Sequence, residues 1–191
     1  MTKSEYRKFM KSVLQAIPSA QRAVKSQAAC EQMIRTAEFQ AARNVMLYLP
    51  MPGELDVGLL AEVVLQSEKQ LLLPLVDWNQ RQMTPMAVQS FESYGDPQLT
   101  GIRQPMGGKP FDIGRIDLVV TPGLAFGFAG ERLGRGKGFY DRFLSQRDLS
   151  ALRTAMAFHE QCRAEIPTER HDIALQMIVT DKEVRRMKPL R

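Results

Sequence analysis

Little in this sequence points toward a disulfide scaffold, a metal cage or a membrane span. Two of the 191 residues are cysteines, Cys30 and Cys162. Their separation matches no metal-ligand spacing, and each reads as a reduced, buried small hydrophobe. The two histidines, His159 and His171, read as structural or as supports behind a site, and no Ser/His/Asp or Cys/His constellation offers itself for hydrolysis. The single tryptophan, Trp78, reads as a packing residue at a strand end. No apolar run approaches the ~18 residues needed to cross a bilayer, and the longest, Leu71 to Val76, contains Pro74. Residues 1–8 lack the apolar centre of a secretory signal. The expectation is a soluble, cytoplasmic protein with no membrane contact, folded as one domain over residues 1–191.

What is present fits an ordinary globular core, with 44% hydrophobic and 25% charged residues. Lys and Arg total 26 against 21 Asp and Glu, a formal charge of +5. That mild excess suits a polyanionic ligand such as a nucleotide or a polycarboxylate. The basic residues are scattered, with no Lys/Arg run and no aromatic–basic repeat, so nucleic acid is not expected as a partner.

Apolar periodicity supplies the elements. Tyr6, Phe9, Met10, Val13, Leu14 and Ile17 recur at helical spacing, ended by Pro18. A second helix is predicted from a Ser19 cap to about Ala37, and Asp56 can cap a third carrying Val57, Leu60, Ala61, Val64 and Leu65. Strands are predicted at 45–49, 70–76, 82–88, 116–121, 154–158 and 176–180, with a loop over 91–115 and a helix from Phe139. Strands alternating with helices, several of them continuously apolar, predict an α/β fold: a mainly parallel sheet covered by helices on both faces, a Rossmann-like three-layer architecture. The strand order is not predicted.

The chemical signal lies downstream. Six of thirteen glycines (Gly123, Gly127, Gly130, Gly134, Gly136 and Gly138) fall within sixteen residues, just before the helix that starts at Phe139. Alternating glycines let successive backbone N–H groups point into one concavity, and the interleaved Arg135 and Lys137 add positive charge. These are parts of a phosphate cradle; the competing reading is a flexible loop with solvated charges. The run is neither a Walker A loop, which would need glycine where Glu131 stands and Ser or Thr where Gly138 stands, nor a G-x-G-x-x-G fingerprint directly following a strand. Lys3 and Arg7 lie one helical turn apart beside the apolar stripe, placed either to lean over a cleft or to remain solvated.

The segment Arg132-Leu133-Gly134-Arg135-Gly136-Lys137-Gly138-Phe139-Tyr140-Asp141 resembles the hallmark R-L-G-x-G-x-G-[FY]-Y-D of the 5-formyltetrahydrofolate cyclo-ligase (5,10-methenyltetrahydrofolate synthetase) family. Lys3 with Arg7, Gly53-Glu54-Leu55-Asp56, Thr121-Pro122-Gly123-Leu124-Ala125-Phe126 and Asp172 agree in order, so the resemblance spans nearly the whole chain. Gly127 and Arg103-Gln104-Pro105 depart from it, each standing where relatives often carry an acidic residue.

The resemblance implies a Mg²⁺-dependent ligase that converts 5-formyltetrahydrofolate, with or without a polyglutamate tail, and ATP into 5,10-methenyltetrahydrofolate, ADP and phosphate. No obligate protein partner is implied. It implies that Lys3, Arg7 and the segment Gly134, Arg135, Gly136, Lys137, Gly138, Phe139, Tyr140 and Asp141 bind ATP. Arg135 would act as the catalytic arginine and Lys137 would support it. Met51, Glu54, Phe139 and Tyr140 would bind the folate, and Asp141 and Asp172 would hold Mg²⁺. On spacing alone Asp141 is an ordinary first-turn acid and Glu54 a solvated turn residue. The alternative function is a paralogue that keeps the cradle but binds another nucleotide or pterin-like ligand.

Overall fold

Five short apolar strands pair in parallel to form the centre of the sheet in a computed structural model that describes residues 1–92, 94–95 and 102–187. They are β1 (Asn44–Met46), β2 (Gln70–Asp77), β5 (Leu118–Thr121), β8 (Leu152–Ala157) and β10 (Met177–Thr180). Antiparallel strands β3 (Gln82–Val88), β4 (Lys109–Pro110) and β11 (Val184–Arg186) extend both edges, giving the order β11-β10-β8-β5-β1-β2-β3-β4. Alternate residues feed two separate cores. Val45, Leu71, Leu73, Leu118, Val120 and Val179 pack under helices α2 (Ser19–Ile34) and α4 (Gly58–Leu65). Met46, Leu72, Val119 and Ile178 face the opposite way, toward Phe143 and Leu144 of α5 (Phe139–Leu144). Burial of both faces is why these strands read as unbroken apolar runs.

Several boundaries differ from the sequence expectation. Helix α1 covers Lys3–Gln15, and Phe9, expected on its apolar stripe, is 44% exposed beside Tyr6 on the flank. Pro18, not Ser19, occupies the N-cap of α2. That helix stops at Ile34 because Thr36 turns its hydroxyl to the Phe39 amide at 3.2 Å and starts a new short helix, α3 (Ala37–Ala41). The N-cap of α4 is Val57; Asp56 accepts from the Gly58 amide at 2.8 Å one residue earlier. Strand β1 ends at Met46 rather than 49, although the Leu47 amide still donates to Leu72. The expected loop over 91–115 holds β4 and a 3-10 turn at Ile113–Arg115, and its residues 93 and 96–101 lie outside the described ones. A small second sheet, β7-β6-β9, joins β6 (Ala125–Gly127), β7 (Arg132–Leu133) and β9 (Cys162–Arg163). The glycine-rich run therefore does leave a strand, but a two-residue one of this second sheet.

A polar network ties α2 to the carboxyl ends of β8 and β10. Lys25 Nζ donates to Asp181 at 2.9 Å and Glu160 at 3.1 Å, and Asp181 also accepts from the His159 amide at 2.7 Å. Burial alone would raise the Asp181 carboxyl, but the Lys25 ammonium and the His159 amide outweigh it and hold it below its ordinary value. A depressed native pKa contributes stability that is present above the unfolded value, about 3.9, and lost as pH falls through the folded one. Asp181→Asn should therefore lower the melting temperature at pH 7, with the gap to wild type narrowing from about pH 4 downward. Circular-dichroism melts against pH measure this, and a gap independent of pH would contradict it.

Candidate active site

The chain runs from β1 to β2 on one side and from β5 to β8 and β10 on the other, so the strand order reverses between β1 and β5. In parallel sheets that reversal opens a crevice beyond the carboxyl ends of the two strands. Here it is a cavity of about 320 Å³. Tyr48, Leu49, Met51 and Glu54 line it from the segment after β1, and Pro122 and Gly123 from the segment after β5.

Helix α1 reaches the cavity with its first two turns. Thr2 and Glu5 form a reciprocal capping box that fixes the helix start. Lys3 Nζ then donates to both Asp172 oxygens, at 2.8 and 2.6 Å, and lies 3.3 Å from Glu169. Arg7 Nε donates to the Gly134 carbonyl at 2.9 Å. Burial pulls the Asp172 carboxyl upward, but the Lys3 ammonium and the Glu169 amide prevail and hold it below its ordinary value.

The glycine-rich run passes over this helix. Gly136 has φ +98°, and a methyl group there would sit 3.3 Å from the Arg7 guanidinium carbon, so both backbone and neighbour call for glycine. Gly138, at φ +70°, is the N-cap of α5. Helix α5 is short, six residues in all. Arg135 and Lys137 are exposed on the cavity side.

Two further ion pairs hold expected site residues in place. Arg135 Nε donates to Glu54 Oε1 at 2.8 Å, while Glu54 Oε2 accepts the Met51 amide at 3.0 Å. Arg132, almost fully buried, donates to Asp141 Oδ1 at 2.7 Å and stands over the Tyr140 ring at 5.5 Å. Burial and the nearby Glu54 carboxylate push the Tyr140 phenol well above its usual range, so it remains a neutral hydroxyl. Phe139 meets Trp78 edge-to-face at 5.1 Å.

Every expected site residue lines this one cavity: Lys3, Arg7, Met51, Glu54, the run from Gly134 to Tyr140, Asp141 and Asp172. Arg132, Glu169 and Trp78 join them without having been singled out for it. Arg132 carried a signal, since it opens the hallmark segment; Glu169 carried none. For Mg²⁺, the usual donor set is one or two carboxylates completed by phosphate oxygens and waters. Asp141 and Asp172, both on the cavity wall, supply that number of carboxylates; Arg132 holds Asp141 through Oδ1, and Lys3 holds both oxygens of Asp172, so a cation there would share that carboxylate with the ammonium. No cluster of three acidic, histidine or cysteine side chains able to cage a metal occurs among the described residues.

Fold and cavity define an α/β protein with a ligand crevice at a topological switch point, charged on one side and apolar on the other. Comparison with known proteins narrows this. The profile of the 5-formyltetrahydrofolate cyclo-ligase family matches residues 1–181, and the chain belongs to that family of ligases. It is 29% identical over 192 residues to a probable 5-formyltetrahydrofolate cyclo-ligase of Caenorhabditis elegans, covering 95% of this chain and 93% of the relative. It is 32% identical over 150 residues to 5-formyltetrahydrofolate cyclo-ligase of Mycolicibacterium smegmatis, covering 74% and 75%. The solved structure of Aquifex aeolicus 5,10-methenyltetrahydrofolate synthetase superposes with a TM-score of 0.86 at 32% identity, covering 100% of this chain and 95% of that one.

Proposed function

We propose that this enzyme converts 5-formyltetrahydrofolate into 5,10-methenyltetrahydrofolate at the expense of ATP, releasing ADP and phosphate. The observation that carries the reading is the Arg135–Glu54 contact, which joins the glycine-rich run and the acidic residue after β1 in one cavity.

The chemistry accounts for the residues. A formamide oxygen is a poor leaving group, so the γ-phosphoryl group moves to it: the bond from phosphorus to ADP breaks as the bond to the formyl oxygen forms. The folate N10 then attacks the formyl carbon, the carbon–oxygen bond breaks, phosphate departs, and the N10 proton passes to solvent. Lys3, Arg7 and the amides of residues 134–138 would hold the phosphates, and Arg135 would stabilise charge on the transferring group, with Lys137 in support. Glu54 would accept from the N–H edge of the pterin, with Met51 and Tyr140 in contact with the folate and Phe139 close by. Asp141 and Asp172 would hold Mg²⁺, which when bound neutralises phosphate charge.

The test is spectrophotometric: purified protein with 5-formyltetrahydrofolate, ATP and Mg²⁺ is expected to accumulate methenyl product, and a folded protein that makes none would overturn the proposal. Asp172→Asn should raise the Mg²⁺ concentration needed for half-maximal rate severalfold. An unchanged Mg²⁺ titration would remove Asp172 from the metal site.

A further inference from the structure

Phosphates and a polar pterin edge account for the charged side of the cavity but leave its apolar side unexplained. Pro74, Val76 and Trp78 recur at every second position along and just past β2, and all three line the cavity. Met83 of β3, paired opposite Val76, continues the wall, and Phe139 of α5 closes it. Trp78 is 41% exposed, with its ring perpendicular to that of Phe139. The corner is braced from behind. The Arg142 guanidinium lies 5.5 Å from the Phe139 ring centre and donates to the carbonyls of Arg81, at 2.9 Å, and Lys137, at 2.8 Å. Arg142 thereby joins the β2–β3 turn to the end of the glycine-rich run. A large aromatic side chain left open inside a cavity, beside a braced second ring, presents surface for a flat apolar group.

We infer that Trp78, with Phe139, binds the benzoyl ring that links the pterin of the folate to its glutamate, and so selects pterins that carry an aryl arm. This rests on the proposed folate activity. Glu54 follows β1 and Trp78 follows β2, its parallel neighbour, so both stand at the same end of the sheet. A ligand anchored by its pterin on Glu54 passes next over β2. The adenine of ATP is the competing ring, but the α1 cations proposed for its phosphates, Lys3 and Arg7, bond to Asp172 and Gly134 and not to the β2–β3 turn.

Trp78 is the chain's single tryptophan, so its emission reports on this corner alone. Titration with 5-formyltetrahydrofolate, corrected for inner-filter absorption, is expected to give a saturable quench. MgATP alone, and a formylated tetrahydropterin lacking the benzoylglutamate arm, should give little. Trp78→Ala should raise the folate KM about tenfold with the ATP KM within twofold of wild type, and Trp78→Phe should restore most of the loss. A quench by MgATP without one by folate would assign the corner to adenine and overturn the inference. So would an unchanged folate KM in an active Trp78→Ala protein, which leaves the folate activity standing. A wild-type protein that makes no methenyl product but shows the folate quench would sink the activity and keep the binding corner; neither product nor quench would sink both.

Discussion

Arg135→Ala is expected to lower kcat on the order of a hundredfold while leaving the folate KM unchanged or slightly reduced. The first half follows from the proposed role, because one well-placed donor to developing charge is worth about 3 kcal/mol in a transition state. The second half comes from the structure. Arg135 donates to Glu54 Oε1, and the pterin N–H donors would need that same oxygen. Removing the arginine frees the carboxylate for substrate, and Glu54 remains fixed through the Met51 amide on its other oxygen. If Arg135 served chiefly to hold Glu54 in place, the folate KM would rise and kcat would change little. Steady-state kinetics separate the two patterns, since a ground-state contact and a transition-state contact move different parameters. Arg135→Lys sharpens the comparison: it keeps the charge but not the planar fork, so it should recover only part of the lost turnover.

The elements legible in the sequence were those whose signal is local. Val119 and Val120, closed off by Pro122 and Gly123, could hardly be anything but a buried strand, and Pro18 marked the end of α1 to within a few residues. The α/β class with both faces covered followed from such segments, and it stands. The small sheet was invisible because β6, β7 and β9 are two or three residues long and pair across large separations, Phe126 opposite Cys162 for example. Strand β1 was overestimated because Tyr48 and Leu49 are buried without being in the ladder: the chain leaves the sheet at Leu47 to line the crevice, and Tyr48 donates instead to the Leu55 carbonyl at 2.8 Å.

The site divides the same way. Family resemblance named the individual side chains, yet their pairings depend on topology. Lys3 and Asp172 are 169 residues apart and meet because α1 and the segment before β10 converge at the crevice. Glu54 and Arg135 are 81 apart and meet because β1 and β5 flank the switch point. Trp78 read as packing because an aromatic residue at a strand end usually packs. Only the period of β2 continued past its end places it beside Pro74 and Val76 on the cavity wall.

The second large effect concerns Arg132, whose side chain is 3% exposed and holds the 19% exposed Asp141 at 2.7 Å. Its Nη1 is 3.5 Å from the Pro122 carbonyl, and its Nε is buried with no hydrogen-bond partner among the described residues. A buried charge pair adds little net stability over an apolar pair of similar shape, but removing one member strands the other, at about 3–5 kcal/mol. Arg132→Met keeps most of the packing volume and leaves Asp141 uncompensated, so a loss of about 3 kcal/mol is expected. For a domain of this length that is a fall in melting temperature of roughly 6–12 °C. The double variant Arg132→Met/Asp141→Leu removes both charges and should regain most of the loss. Thermal denaturation of the single and double variants distinguishes the causes. If the double variant melts no higher than Arg132→Met alone, the cost lies in the lost contact with the Tyr140 ring and not in a stranded carboxylate. Recovery would make Arg132 the residue that orients the Asp141 carboxylate on the cavity wall, which is the condition for Asp141 to present an oxygen to a phosphate-bound cation.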